Sequence, residues 1–413
     1  MQKAVVLWGG VLALGLSAAA WAGPTAQGAP FRVSSCTGCI QQVPVVAGAA
    51  SGAFLTVWKG ASPTDPNGVS GRMFSSTGTP MGADFLANKD LVQDQYDPAV
   101  ARDAQGNFIV VWSEVANGNS EIKGRRYGPT GAALGAIFKV NQDQTGTPTL
   151  PADFNPVVAA TKDGFIVAWM NLLPAGTGFP GTTPQVLARK LGPTGTPVGS
   201  QVKISTGLVS GDRPDVCVDS SSRPVVVWAS VDGFPPFQAN HKGVSLRRLT
   251  PAGAPLDAAE TVVAAPRSAT ARPAVSCGSG STFVVVWHSD QPPAVERTDI
   301  LGQRFSRLGR PVGPVFRVNT TVTKEERNPA IVHDAKGNFV VVWQAYLDGV
   351  KVSILGRRFA ASAAALSPEF EVFAGVNGLV PSSPDVATIG TAGNFVVVWQ
   401  NATQGVFGRR FTP

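Results

Sequence analysis

Seven apolar runs along the chain end in tryptophan: Phe54–Trp58, Phe108–Trp112, Phe165–Trp169, Pro224–Trp228, Phe283–Trp287, Phe339–Trp343 and Phe395–Trp399. They recur at intervals of ~54 to ~59 residues, a period typical of repeat architectures. A run such as Phe-Val-Val-Val-Trp is apolar at every position, which predicts a strand buried on both faces. Three further segments keep the same period. One opens on a proline before each run, at Pro44, Pro98, Pro156, Pro214, Pro273, Pro329 and Pro384. A basic–apolar segment follows the run, as in Arg72–Phe74, Arg125–Tyr127, Arg357–Phe359 and Arg409–Phe411. A short alternating segment ends the repeat, as in Phe85–Leu86, Phe138–Val140 and Phe316–Val318. Each is short, β-branched or aromatic, and bounded by turn formers. Four short strands every ~56 residues predict an all-β chain, a seven-bladed β-propeller of four-stranded blades.

The two ends of the chain fit that reading. The seventh repeat stops at Phe411 after its third strand, and Phe31-Arg32-Val33 is an orphan copy of a fourth. Pairing the two closes the ring and removes two open sheet edges. Residues 1–22 predict a secretory leader, with Lys3 before the apolar stretch Ala4–Leu16 and a small-x-small site at Ala20-Trp21-Ala22. The expected organisation is a signal peptide over 1–22 and one propeller domain over 23–413. The product is then exported, to the periplasm, the cell surface or the medium.

Composition narrows the partners. With 44% hydrophobic and 15% charged side chains, the chain is too apolar for a disordered protein. Its 46 Gly and 33 Pro exclude a helical one. The formal charge of +7, one unit of which leaves with Lys3, is spread by the repeat rather than gathered on one face. Nucleic acid is therefore not an expected partner. No later segment reaches membrane-spanning length without Gly, Pro or charge. No phosphate loop, nucleophile elbow or metalloprotease motif occurs, and no cofactor or metal is expected.

Segments such as Asp334-Ala335-Lys336-Gly337-Asn338-Phe339-Val340-Val341-Val342-Trp343, Gly356-Arg357-Arg358-Phe359 and Phe316-Arg317-Val318-Asn319 carry a resemblance. They resemble a repeat of exported bacterial proteins, mostly uncharacterised, that are held to be β-propellers. The resemblance covers nearly the whole mature chain. It implies a fold and an exported life, and it implies no defined activity.

Four cysteines in an exported chain predict two disulfides. Cys36 and Cys39 share one loop. Cys217 is the third residue after Pro214 and Cys277 the fourth after Pro273, so they point to opposite sheet faces. Stacked neighbouring blades need that parity for two side chains to meet. The favoured pairs are Cys36–Cys39 and Cys217–Cys277; free buried thiols or a metal site are the alternatives.

One end of the ring carries near-identical turns, such as Asp103–Asn107 and Asp334–Asn338. The other carries loops that differ in every repeat and begin, on this reading, at the residue after each Trp. Recognition concentrates on such loops. The residues just before each opening proline should ring the channel mouth at that end: Val43, Asp97, Asn155, Arg213, Arg272, Asn328 and Ser383. The strongly polar five, Asp97, Asn155, Arg213, Arg272 and Asn328, form the candidate binding site. Tyr96, Asp215, Glu325, Glu326, Arg327 and Asp385 lie near them. His241 and His288, with Asp290, fall in long loops of adjacent blades, and Asp65–Gly68 resembles a calcium loop only faintly. Asn319 and Asn401 open N-glycosylation sequons.

The expected function is a non-catalytic binding or scaffold module presenting variable loops to a protein or glycan. The alternative is a propeller-type glycoside hydrolase or lyase of sialidase type. It would need Arg213, Arg272 and Arg327 gathered on a carboxylate, with Tyr96 and Glu325 as nucleophile pair. A third possibility is envelope packing through the templated face.

Overall fold

The computed structural model describes residues 23–413 except 61–64, 66, 89–92, 117–118, 143–151, 174–182, 207–213, 233–239, 265–271, 281, 291–297, 321–324, 347–351 and 376–379. The expected leader, residues 1–22, and Arg213 lie outside the described residues. Within them the chain is all β, seven blades of four antiparallel strands in a ring. Blade one runs Gln41–Gly48, Phe54–Gly60, Val69–Phe74 and Phe85–Leu86, and blade two Asp94–Arg102, Phe108–Ala116, Asn119–Tyr127 and Phe138–Lys139. Blade three is built on Ala152–Thr161, blade four on Asp215–Val218, blade five on Ala274–Cys277, blade six on Glu325–His333 and blade seven on Pro381–Ile389. These are the inner strands.

The tryptophan strands alternate between the two neighbours of their blade. In blade three, Phe165, Val167 and Trp169 pack toward blade two, while Ile166, Ala168 and Met170 pack toward blade four. Seven such apolar clusters fill the seven junctions. An alternating strand could supply only one of the two, which is why the run is apolar throughout. All seven rings are buried.

Residues 25–33 complete blade seven. Phe31 and Arg32 pair with Gly408 and Phe407, as expected, and Val33 N–H donates to Val406 O. Thr25–Ala26 adds a second stretch on the same edge, pairing with Thr412 and Phe411. It replaces the single bridge, such as Phe74 to Pro80, with which most other blades start their outer strand. Phe31 also lies on Gly408, where an added Cβ would meet its ring at 2.7 Å. Phe85 on Gly71, Phe316 on Gly302 and Phe370 on Gly356 make the same contact. The glycine within the third strand is thus a seat for the outer-strand aromatic.

Two polar devices repeat at the junctions. The first basic residue of the third strand donates to a carbonyl of the preceding blade: Arg189 to Val140 O at 2.7 Å, Arg247 to Ile204 O at 2.9 Å, Arg357 to Val318 O at 2.9 Å and Arg409 to Val372 O at 3.0 Å. In blade five the equivalent position is Gln303, whose Nε2 donates within its own blade, to Gly313 O at 3.1 Å. The second residue after the outer strand accepts a third-strand amide: Asn88 from Val69, Asn141 from Ile122, Asn319 from Ile300 and Ser205 from Val186. Asn319 is buried there and Asn401 at the end of its strand Asn394–Asn401, which removes both sequons as sites of modification on the folded chain.

Both disulfides form, Cys36–Cys39 and Cys217–Cys277, the second joining the inner strands of blades four and five. The boundaries at the variable end need correction. The second strands continue past Trp, to Ala116 in blade two and Asp290 in blade five, because the third strand pairs with them that far. His288 is accordingly a buried strand residue and His241 lies in the strand Asn240–Arg248, so neither belongs to a loop. Asp65 is buried, accepting from Asn67 N–H and Asn88 Nδ2 at 3.0 and 2.8 Å, a turn-holding role in place of a calcium loop.

Candidate functional site: the channel mouth

The inner strands enclose a channel of about 430 Å³ that touches all seven blades. Asp97, Asn155, Arg272 and Asn328 line it, with Val43 and Ser383. Five of these six mouth positions, all but Arg272, share a backbone state. Val43, Asp97, Asn155, Asn328 and Ser383 have φ between 49° and 54°. That region suits Asn and Asp but is a true outlier for β-branched Val. Each sits in a register slip of its inner strand, for example between Gln42 and Val45 and between Tyr96 and Ala99. The proline that follows supplies no N–H, so the slip places a ladder-breaking residue where the strand bends open. In blade one the strained residue is held from the neighbouring blade, Val43 N–H donating to Gln400 Oε1 at 2.6 Å.

The rim is uneven in charge. On blades one and two, Lys59 lies over the Tyr96 ring, 3.6 Å from its centroid, and Tyr96 donates to Asp94 Oδ2 at 3.1 Å. Burial pulls the Lys59 ammonium below its usual value, against the opposing pull of Asp97 and Asp94. On blades five and six, Arg272 lines the channel and Arg327 pairs with Glu325 at 3.0 Å and lies over Tyr346. Between them His288 is buried. Burial, reinforced by the Arg272 and Arg327 guanidiniums, pushes its pKa down to about 3, so it is a neutral imidazole at any ordinary pH. Asn328 donates to Gln344 Oε1 at 2.8 Å, and Gln344 to Tyr346 Oη at 3.2 Å.

Tyr96 and Glu325 have separate surroundings on separate blades: Tyr96 contacts Lys59 and Asp94, and Glu325 contacts Arg327. Asp215 and Asp385 lie deeper in the channel and accept backbone amides. No group of three or more His, Cys, Asp or Glu could hold a metal among the described residues.

Two features escaped the sequence reading. Lys59 belongs to the position directly after Trp, which turns toward the next blade's mouth; Gln400 does the same. Two residues before the mouth position, Gln41, Gln95, Asp153 and Glu326 are all buried and polar. The signal was present as a polar residue at a fixed offset inside the repeat. Asp153 accepts from Trp169 Nε1, Asn171 Nδ2 and Asn141 Nδ2 at 2.7 to 2.8 Å. Burial outweighs those bonds and lifts its pKa to about 6.

No protein-family model matches the chain, and no curated protein matches it. Solved structures match in fold. A polysaccharide lyase of family PL25, an ulvan lyase, is 11% identical over 92% of this chain and 95% of its own, with a TM-score of 0.56. A protein of unknown function from Dyadobacter fermentans is 11% identical over 93% and 97%, with a TM-score of 0.50. NanB, solved with Optactamide, is 10% identical over 93% and 70%, with a TM-score of 0.50. At such identities the likeness extends to the propeller fold and no further.

Proposed function

We propose that this chain is an exported binding module that takes a polar group of a glycan or protein partner into its channel mouth. One observation carries the reading. The five mouth residues with positive φ hold one backbone state while their side chains are Val, Asp, Asn, Asn and Ser. A fixed scaffold with different chemistry at each equivalent point is what recognition requires, since backbone strain of ~1–3 kcal/mol per site persists only when the fold over-determines it. Two disulfides fit an oxidising compartment. Among the described residues no helix is long and apolar enough to cross a membrane. Arg213 takes part in this proposal through its place in the repeat.

A glycan array probed with the mature protein, with and without calcium, tests the reading. Binding that is lost on changing Asp97, Arg213 and Arg272 together supports the mouth as the site. Silence on glycans, followed by no partner in pull-downs from the native secretome, overturns it. The competing reading is a glycan-cleaving enzyme, which the resemblance of the fold to an ulvan lyase and to NanB keeps in view. New reducing ends or unsaturated products from any arrayed polysaccharide would favour it.

A further inference from the structure

The inner edge of the ring repeats one register. Val46, Val100, Val158, Val216 and Val275, each two residues after an opening proline, stand opposite Thr56, Val110, Val167, Val226 and Val285, each two residues before a Trp. In an antiparallel pair, alternate residues turn both backbone groups away from their partner strand. Three bonds show where these amides turn. Val216 N–H donates to Asp215 Oδ1 at 2.8 Å and Val275 N–H to Asp215 Oδ2 at 2.7 Å; Val46 N–H donates to Asp385 Oδ2 at 2.8 Å. The Asp215 carboxylate thus bridges blades four and five, one oxygen on the amide of each.

Between blades two and three the same two amides belong to Val100 and Val158, and Ala99 stands in the place of Asp215. Ala99 ends at Cβ and offers no acceptor. All three residues line the channel. The fold therefore repeats, with its carboxylate deleted, a site that its own carboxylate fills two junctions away.

We propose that the Val100–Ala99–Val158 junction binds a small carboxylate anion, one oxygen on each amide, in the manner of the Asp215 side chain. This deepens the binding-module reading by naming a ligand chemistry, and it rests on that reading only for the route of entry from the mouth. A planar carboxylate matches two parallel N–H donors, and charge-assisted bonds to backbone amides are among the stronger hydrogen bonds. Arg272 draws anions to the mouth, while Asp97 on the same blade, with Asp215 and Asp385 deeper in, opposes them.

The probe is sodium acetate, titrated into ¹⁵N-labelled mature protein against sodium chloride at equal ionic strength. Saturable shifts of the Val100 and Val158 amides are expected, with at least a tenfold weaker response in Ala99→Asp, whose side chain occupies the slot. Amides that respond no more than to chloride, or equally in Ala99→Asp, overturn the proposal. Asp215→Ala supplies a reciprocal arm: acetate should restore its lowered melting temperature and move the Val216 and Val275 amides. If either variant fails to fold, the other arm decides. Acetate binding does not depend on the array result, so the two readings can fail separately.

Discussion

Gly408→Ala tests how the ring is held shut. An added Cβ at Gly408 comes within 2.7 Å of the Phe31 ring, and at Gly356 within 2.6 Å of the Phe370 ring. The local insult is the same, overpacking worth ~1–3 kcal/mol. The consequences differ because the outer strands are attached differently. Phe370 follows its own third strand after a short turn, closed by Ala363 N–H donating to Ala360 O, so it is returned to place by its connection. Phe31 belongs to a segment from the opposite end of the chain, held on blade seven by the pairings of Thr25–Ala26 and Phe31–Arg32, by Gln27 N–H on Arg410 O, and by Val33 N–H on Val406 O. Releasing residues 25–33 relieves the strain in Gly408→Ala without unfolding a blade. Since ~1.4 kcal/mol is a factor of ten in an equilibrium, the Gln27 and Val33 amides should exchange with solvent roughly 5- to 150-fold faster than in the wild type. In Gly356→Ala they should be unchanged. Hydrogen exchange read by mass spectrometry on the N-terminal peptide makes the comparison. Wild-type protection of that peptide in Gly408→Ala would refute the closure argument.

Three further outcomes follow from the same geometry. Ala363 takes φ 68° at the turn position where Gly78, Gly131, Gly195, Gly253 and Gly309 stand in other blades. Ala363→Gly should stabilise by ~0.5–1 kcal/mol, the left-handed cost less the entropy of glycine, and a lowered melting temperature would contradict it. Cys217–Cys277 closes a separation of 60 residues, worth ~4 kcal/mol in the chain-entropy account; Cys217→Ser with Cys277→Ser should lose stability of that order in urea melts, and a loss below ~1 kcal/mol would show that the junction holds without it. Asp153 has its pKa raised to about 6, so the folded state holds the proton more tightly than the unfolded chain. Its contribution is complete below about pH 4 and is lost as pH rises through 6; Asp153→Asn should remove roughly 1–3 kcal/mol of that pH dependence. A wild-type-minus-variant difference that stays flat from pH 4 to pH 7 would exclude this.

The mouth shows how far one sequence carries. Seven X-Pro positions are visible as a repeat, and their strand assignment follows from the tryptophan run that comes next. The positive φ of five of them is not visible, because Val43 and Ser383 carry no preference for it; the slip between Gln42 and Val45 imposes it in blade one. Asp215 reads as one more mouth carboxylate, and only its two amide donors show it as a brace between blades. His288 reads as a loop residue because its strand outruns the apolar pattern, carried on by pairing with the third strand.

The sequence by itself determined the all-β class, seven blades, their order and the closing strand, and favoured the cysteine pairs that the structure shows. Those properties follow from burial: a strand packed on both faces must be apolar throughout, and a ring must supply its missing edge. The tertiary structure alone decided which polar residues serve the frame and which face the channel. Arg189 and Asn141 are as polar in sequence as Arg272 and Asn155; the first two bind backbone of the frame, and the second two line the channel. Polarity is a property of the residue, whereas a partner depends on the register and stacking of blades that lie far apart along the chain.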